Sequence, residues 1–288
     1  MTGLREYAPA KVNLSLKVKG RRADGYHELQ SLVVFADCGD VLSGERADIS
    51  TLDVGGAFGH LLTEDEDNLV LKAARLLSDY LREPMGAAMY LEKNLPVASG
   101  IGGGSADAAA ALRLIARLHG RELPPHALAS LALCIGADVP VCLNTMPALM
   151  WSKGELMRRI ETLPAFWLVL VNPHVAVETG PVFKALDAPM MLEREIGPQV
   201  PLMQDFDALV GWLSENGNDL EAPALTLAPV IADVLAALGA LKDCCLARMS
   251  GSGATCFGLF ADEASAQRAA AALRVTHPEW WVAAAKRL

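Results

Sequence analysis

The chain is 288 residues long with a formal net charge of −9, and 52% of it is hydrophobic while only 6% is aromatic. That length suggests two domains, and an interior built mostly of Ala, Val and Leu is large enough to exclude a disordered chain. The acidity is spread along the whole chain with no basic face, which argues against duplex nucleic acid as a partner, because phosphate neutralisation needs clustered Lys and Arg.

In chain order, Val12, Leu14, Leu16 and Val18 alternate with polar residues and predict one strand. A basic turn at Gly20 to Gly25 follows, then strands at Leu29–Phe35 and Ile49–Leu52. Leu69–Leu81 has helical spacing with Asn68 where an N-cap belongs. Ala87 to Leu91 alternates as a strand and feeds a glycine-rich segment, after which Ser105 to about Leu118 reads as a helix apolar on all sides, and so buried. Pro125–Cys134 is a further helix, and residues 151–165 hold a weak boundary. Beyond it come a strand at Phe166–Val171, helices at Pro181–Leu186, Phe206–Ser214 and Val230–Leu238, and a turn at Ser250–Gly253. A strand at Thr255–Phe260, a helix at Glu263–Leu273 and a strand at Trp280–Ala284 complete the chain. This mixed order predicts an α+β fold. No run of about 18 apolar residues escapes interruption by a charge or proline, and Met-Thr-Gly-Leu-Arg-Glu-Tyr lacks the apolar core of a signal peptide. A cytoplasmic protein without a membrane partner is expected. Cys38, Cys134, Cys142, Cys244, Cys245 and Cys256 have no metal or redox spacing, so most are expected to be small buried hydrophobes.

The segment Pro96-Val-Ala-Ser-Gly-Ile-Gly-Gly-Gly-Ser-Ala-Asp is the most informative. Its glycines let backbone amides approach a ligand closely, and the helix that follows adds unsatisfied N–H groups and a positive dipole end. Together they make an anion cradle, although a tight turn without a ligand would share the pattern. The chain has no Gly-Lys pair, and Ser105 stands where a dinucleotide fingerprint needs its third glycine, so neither common phosphate loop fits. A second Gly-Ser turn at Met249-Ser-Gly-Ser-Gly-Ala-Thr is either a plain β-turn or a cover for the same phosphates. Lys11 and Asn13 share a face of the first strand; Asp138, before a proline, reads as a cap when taken alone; Tyr26 and His27 sit side by side at a turn.

Together these segments resemble the GHMP kinase superfamily, small-molecule kinases named for galactose, homoserine, mevalonate and phosphomevalonate. The three family motifs stand in order at Ala8–Asn13, Leu95–Ala109 and Met249–Cys256. Four runs resemble more closely one branch, which acts on a cytidylyl-methylerythritol of the non-mevalonate isoprenoid pathway. They are Pro9-Ala-Lys-Val-Asn-Leu, Gly20-Arg-Arg-Ala-Asp-Gly-Tyr-His-Glu-Leu, Gly136-Ala-Asp-Val-Pro-Val and Met249-Ser-Gly-Ser-Gly-Ala-Thr. The resemblance implies a two-domain GHMP kinase fold. An N-terminal domain over 1–160, like the second domain of ribosomal protein S5, would meet a ferredoxin-like domain over 161–288, with ATP and the substrate in the cleft.

The implied reaction moves the γ-phosphate of ATP to the substrate's 2-hydroxyl. Carried over by position, Asp138 is the base and Lys11 its partner, while Asn13, Tyr26, His27, Thr179, Phe183, Ser250 and Gly251 contact the substrate. Asn68 and Lys93 lie by the adenosine, with Pro96, Gly100, Ile101, Gly102, Gly103, Gly104, Ser105 and Ala106 around the phosphates. Mg²⁺ is expected to arrive with ATP; its protein ligands are not defined, and Ser105 and Asp107 are the nearest candidates. The chain departs from the family pattern at Ala106, where a second serine is usual, and at Ser152, where glycine is common. A homoserine- or mevalonate-type kinase and a non-catalytic nucleotide-binding relative are the alternatives. The Tyr26–His27 pair favours a nucleobase over the first, and Lys11 with Asp138 argues against the second. A monomer or weak homodimer is expected.

Overall fold

The computed structural model describes residues 3–62, 67–191, 197–199 and 203–288. Met1 and Thr2, part of the segment read against a signal peptide, lie outside them. The chain folds as two compact units that interleave along the sequence. The first takes the residues up to Ala10, Cys38–Val97 and Gly102–Thr145; the second takes Lys11–Asp37, Ala98–Ile101 and Met146–Leu288. The sequence instead suggests a single division near residue 160. Two long strands, β1 (Leu4–Asn13) and β3 (His27–Arg46), contribute to both units, and local periodicity does not show where a strand changes its neighbours.

In the first unit, Val41–Arg46 of β3 pairs antiparallel with β5 (Ala87–Glu92), and β4 (Thr51–Gly55) pairs parallel with β5. Helix α1 (Leu69–Leu81) starts where Asn68 accepts a hydrogen bond from the Val70 N–H at 3.0 Å, the expected cap. Helix α2 (Gly103–Leu118) packs against α1, α3 (Pro125–Ile135) and α4 (Val139–Cys142). Its Ala108–Ala111 run is fully buried, since methyl side chains let three helices approach one axis.

In the second unit, the start of β3 pairs with β2 (Lys17–Arg21) and β6 (Ala148–Ser152), and β6 continues to β7 (Leu156–Arg159). A separate antiparallel sheet joins β8 (Trp167–Asn172), β9 (Leu246–Met249), β10 (Cys256–Phe260) and β11 (Trp281–Lys286) in the order β11-β8-β10-β9. Helix α8 (Val230–Gly239) lies between β8 and β9 in sequence, and α9 (Glu263–Thr276) between β10 and β11. This is the split βαββαβ arrangement of a ferredoxin-like domain, as expected. Its core is aliphatic: Val169, Val171, Ile231, Val234, Leu238 and Leu273 are all nearly or fully buried. Helices α5 (Thr179–Leu186), α6 (Phe206–Glu215) and α7 (Glu221–Leu227) occupy the connection before α8.

Two sequence expectations, on the first strand and on the cysteines, need correction. The single strand over Val12–Lys19 is two strands, because Leu14 and Ser15 N–H both point at Leu32 O while Leu16 pairs instead with Gly217 and Asp219. Residues 151–165, read as a weak boundary, hold β7, the last strand of the larger sheet in chain order, and the separate sheet starts just after them with β8. Of the six cysteines only Cys142 and Cys256 are buried; Cys38 and Cys244 are half-buried, and Cys134 and Cys245 are exposed. The elements not foreseen include α4, β6, β7, α7 and β9. In α7, Pro223 falls in the first turn, where its missing N–H costs nothing. In β9, a buried Arg248 interrupts the apolar pattern.

Candidate active site

In the second unit, residues from all three motifs are tied together by hydrogen bonds. The backbone N–H of Lys11 donates to Ile101 O at 2.9 Å, and that of Asn13 donates to Ser250 Oγ at 3.0 Å. Ser250 Oγ in turn donates to Gly100 O at 3.0 Å, and Thr255 N–H donates to Ser99 O at 3.0 Å. The Gly-Ser turn is therefore more than a plain β-turn, for it braces the start of the glycine-rich loop. Asn13 is 5% exposed, and its side-chain amide donates to Ser31 Oγ at 2.7 Å.

Gly100 sits at the tightest point of this contact. Its φ of +77° lies in the left-handed region, and a Cβ there would come within 2.4 Å of Ser250 O. We expect Gly100→Ala to lose more than about 2 kcal/mol and to raise the KM for ATP, because strain and backbone overlap act together. Gly104→Ala is the matched control, since its Cβ would meet only Leu69 Cδ1 at an ordinary 3.5 Å. Thermal melts and ATP titrations of the pair check this; equal behaviour would show that the loop does not need its glycine at position 100.

A cavity of about 690 Å³ opens beside the second turn of the unit, lined by Arg21, Tyr26, His27, Lys153, Thr179 and Phe183 among others. It is of the size that holds a small ligand. His27 and Phe183 are stacked with ring centroids 4.7 Å apart and planes 26° apart, while Tyr26 is 58% exposed rather than packed. Burial, and then the Arg21 cation, hold the His27 pKa below the usual histidine value, so the ring is neutral at neutral pH and offers one donor and one acceptor. Lys153 places its ammonium 4.3 Å from the Tyr26 ring centroid. Thr179 Oγ1 lies 2.9 Å from Ser252 Oγ, which links the cavity wall to the Gly-Ser turn that carries Ser250 and Gly251.

In the first unit, Gly102 at φ +64° caps α2 and Gly103 opens it, two residues before the start read from sequence. Gly104 is exposed and Ser105 half-buried, so this edge of the helix terminus faces outward. Pro96, Ile101 and Ala106 are buried, and any contact they make with a phosphate would run through backbone. Lys93 is only 2% exposed, and its Nζ donates to Asp40 Oδ2 at 2.5 Å and Asp107 Oδ2 at 2.6 Å. Two of the side chains offered as contacts at the nucleotide end are thus engaged inside the unit: Lys93 by two carboxylates, Asp107 by Lys93. Burial would lower the Lys93 pKa, but the Asp107 and Asp40 carboxylates outweigh it and hold the ammonium above its usual range.

Asp138 is half-buried just before α4 and makes no capping hydrogen bond to it, contrary to the plain reading of a carboxylate at that position. Lys11 is 3% exposed on β1. Among the described residues, no cluster of three or more His, Cys, Asp or Glu is placed to hold a metal ion.

Two contributors escaped sequence reading. Asn218 donates from one amide to both Met249 O and Gly251 O at 2.8 Å, pinning the Gly-Ser turn. Arg248 donates to Leu14 O at 2.9 Å and Leu213 O at 2.7 Å, holding the end of β1. Neither lies in a motif. A signal was available only for Arg248, as a lone cation inside an apolar run.

The family model for the GHMP kinases N terminal domain matches residues 68–145, and that for the GHMP kinases C terminal matches residues 199–277. The 4-diphosphocytidyl-2-C-methyl-D-erythritol kinase of Parvibaculum lavamentivorans is 52% identical over 277 residues, 96% of either chain. That of Paramagnetospirillum magneticum is 51% identical over 288 residues, the whole of both chains. A crystal structure of 4-(cytidine 5'-diphospho)-2C-methyl-D-erythritol kinase superposes with a TM-score of 0.79 at 34% identity, covering 99% of each chain. The chain belongs to the GHMP kinase family, within its group of 4-diphosphocytidyl-2-C-methyl-D-erythritol kinases.

Proposed function

We propose that this chain is the ATP-dependent kinase that phosphorylates the 2-hydroxyl of 4-diphosphocytidyl-2-C-methyl-D-erythritol, in the cytoplasm, for isoprenoid precursor synthesis. The observation that carries the substrate is the cavity with Tyr26, His27 and Phe183 on its wall, which suits a flat base with hydrogen-bonding edges. Mevalonate and homoserine have no such base. The relatives quoted above, about half identical over essentially their full length, support the same substrate.

In this reading the cytosine stacks on aromatic rings and meets the His27 imidazole, with Thr179 and Phe183 closing the wall. Asn13, Ser250 and Gly251 hold the methylerythritol arm, and the backbone amides from Gly100 to Ala106 hold the ATP phosphates, with the dipole of α2 behind them. Asn68 and Lys93 act at the adenosine end: Asn68 by fixing the start of α1, Lys93 by fixing the start of α2. Asp138 takes the proton of the 2-hydroxyl as its oxygen bonds to the γ-phosphorus; the bond to the bridging oxygen breaks, and ADP leaves. Lys11 keeps the carboxylate ionised and offsets the developing alkoxide charge. Mg²⁺ would neutralise phosphate charge, held mainly by ATP's own oxygens with the Ser105 hydroxyl nearest, since Asp107 is engaged by Lys93. The halves 1–160 and 161–288 are the two family modules, each containing one of the matched segments. The working form is a monomer or weak homodimer.

ADP release with the cytidylyl substrate, mevalonate and homoserine tests this directly. Turnover with the first alone is expected; turnover with either other substrate would overturn the assignment, and none with any would indicate a non-catalytic relative. Tyr26→Ala should raise the KM for the cytidylyl substrate about 5- to 100-fold, the worth of one base–aromatic stack, with kcat little changed. An unaltered KM would remove Tyr26 from the base site.

A further inference from the structure

Ser152 ends β6 with φ +64°, a left-handed conformation that side-chain-bearing residues seldom adopt, and it is fully buried. Such a residue persists where its surroundings over-determine it, and the hydrogen bonds of Ser152 show what does so here. Its Oγ accepts from Arg22 Nη1 at 2.6 Å and donates to Glu155 Oε1 at 3.0 Å. Each partner controls one rim of the aromatic cavity. The Arg22 backbone N–H donates to Tyr26 O at 2.7 Å and its guanidinium Nε lies 3.5 Å from Asp24 Oδ1, so Arg22 is tied into the corner that presents Tyr26. Glu155 Oε2 accepts from the Lys153 backbone N–H at 2.7 Å, and Lys153 holds its ammonium over the Tyr26 ring, 3.5 Å from Asp24 Oδ2.

We propose that Ser152 is a positioning residue for the cytidine site, its hydroxyl joining the Tyr26 corner to the Lys153 turn so that the two rims stay in register. This inference rests on the substrate reading above. A glycine would relax the backbone but break the join. Glu28 shows where Arg22 would go. That carboxylate is 2% exposed and already accepts from Arg22 Nη1 at 3.2 Å, while its Oε1 is buried with no hydrogen-bond partner. Once released by Ser152, Arg22 shifts toward that oxygen and draws the corner with it, away from Lys153.

The test compares Ser152→Ala, Ser152→Gly and, from the other side of the join, Glu155→Ala. For each, KM and kcat with the cytidylyl substrate, KM for ATP and the Kd of cytidine 5'-diphosphate are measured. The substrate KM and the diphosphate Kd should rise about 10- to 150-fold, the worth of a lost hydrogen bond to a charged group. The KM for ATP and kcat should stay within about twofold, because nothing at the phosphate loop is touched. A merely structural role would lower the melting temperature and all activities together. Unchanged substrate KM in all three variants, or a matching fall in kcat, would overturn the proposal. Wild-type protein that neither turns over the cytidylyl substrate nor binds the diphosphate would instead refute the substrate reading itself.

Discussion

Replacing Asp138 by Asn is expected to lower kcat about 10²- to 10⁴-fold while leaving both KM values within a few-fold. Phosphoryl transfer passes through a loose transition state in which positioning and charge carry most of the acceleration, so loss of the base removes one contribution and spares binding. Asp138 makes no capping bond to α4, and an amide of the same shape costs that four-residue helix nothing it was using. Steady-state ADP release by folded variant protein gives the answer, and wild-type turnover would end the assignment of Asp138 as base. Lys11→Met divides differently. The strand keeps its Lys11 N–H bond to Ile101 O whatever the side chain, so the loop stays braced and only the cation is lost. We expect kcat to fall and the KM for ATP to hold. The reverse pattern would move Lys11 from alkoxide stabilisation to phosphate binding.

The elements that carry these residues were legible where the signal is local. The helix over Leu69–Leu81 and its Asn68 cap follow from spacing and one side chain, and both bounds match. Burial of α2 follows from its alanines. Motif order pointed to the fold because the glycine-rich loop and Gly-Ser turn need small residues at fixed places. What stayed hidden depends on distance along the chain. The bond from Asn13 to Ser250 spans 237 residues, and the bracing by Asn218 and Arg248 uses residues with no local pattern. The interleaving of the two units was equally invisible, since β1 and β3 read as ordinary strands whichever unit each end serves. At Ser152, sequence could mark a departure from glycine, but only the left-handed φ and the Arg22–Glu155 join give it a consequence.

Lys93→Met is expected to cost about 3–5 kcal/mol of stability, the usual result of stripping one partner from a buried ionic cluster. The cluster is tight on every side. Asp40 Oδ1 accepts from Asn94 N–H at 2.6 Å and Leu95 N–H at 2.8 Å, so it anchors the loop after β5. A Cβ on Gly103 would stand 3.0 Å from Lys93 Nζ, which places the ammonium directly beneath the first residue of α2. Two carboxylates share this single cation, and Asp107 has a second oxygen, Oδ1, buried without a hydrogen-bond partner. Burial, against the pull of Lys93 and with the nearby Asp40 charge adding to it, raises the Asp107 pKa to about 8. At neutral pH the Asp107 carboxyl therefore stays largely protonated beside the Lys93 ammonium. The sign of the pH dependence follows. The folded protein holds a proton that the unfolded chain releases near pH 3.8, so this contribution is complete below that pH and declines until about pH 8. Lys93, raised above its ordinary 10.5, stays charged throughout that window. Asp107→Asn removes the titration while keeping a carbonyl for Lys93. Relative to wild type its melting temperature should gain between pH 5 and 8, then level off above about pH 8, where the wild-type group has itself ionised. Melts of both proteins at intervals from pH 5 to 9 read this out, and a difference independent of pH would show that Asp107 is already ionised when the chain folds.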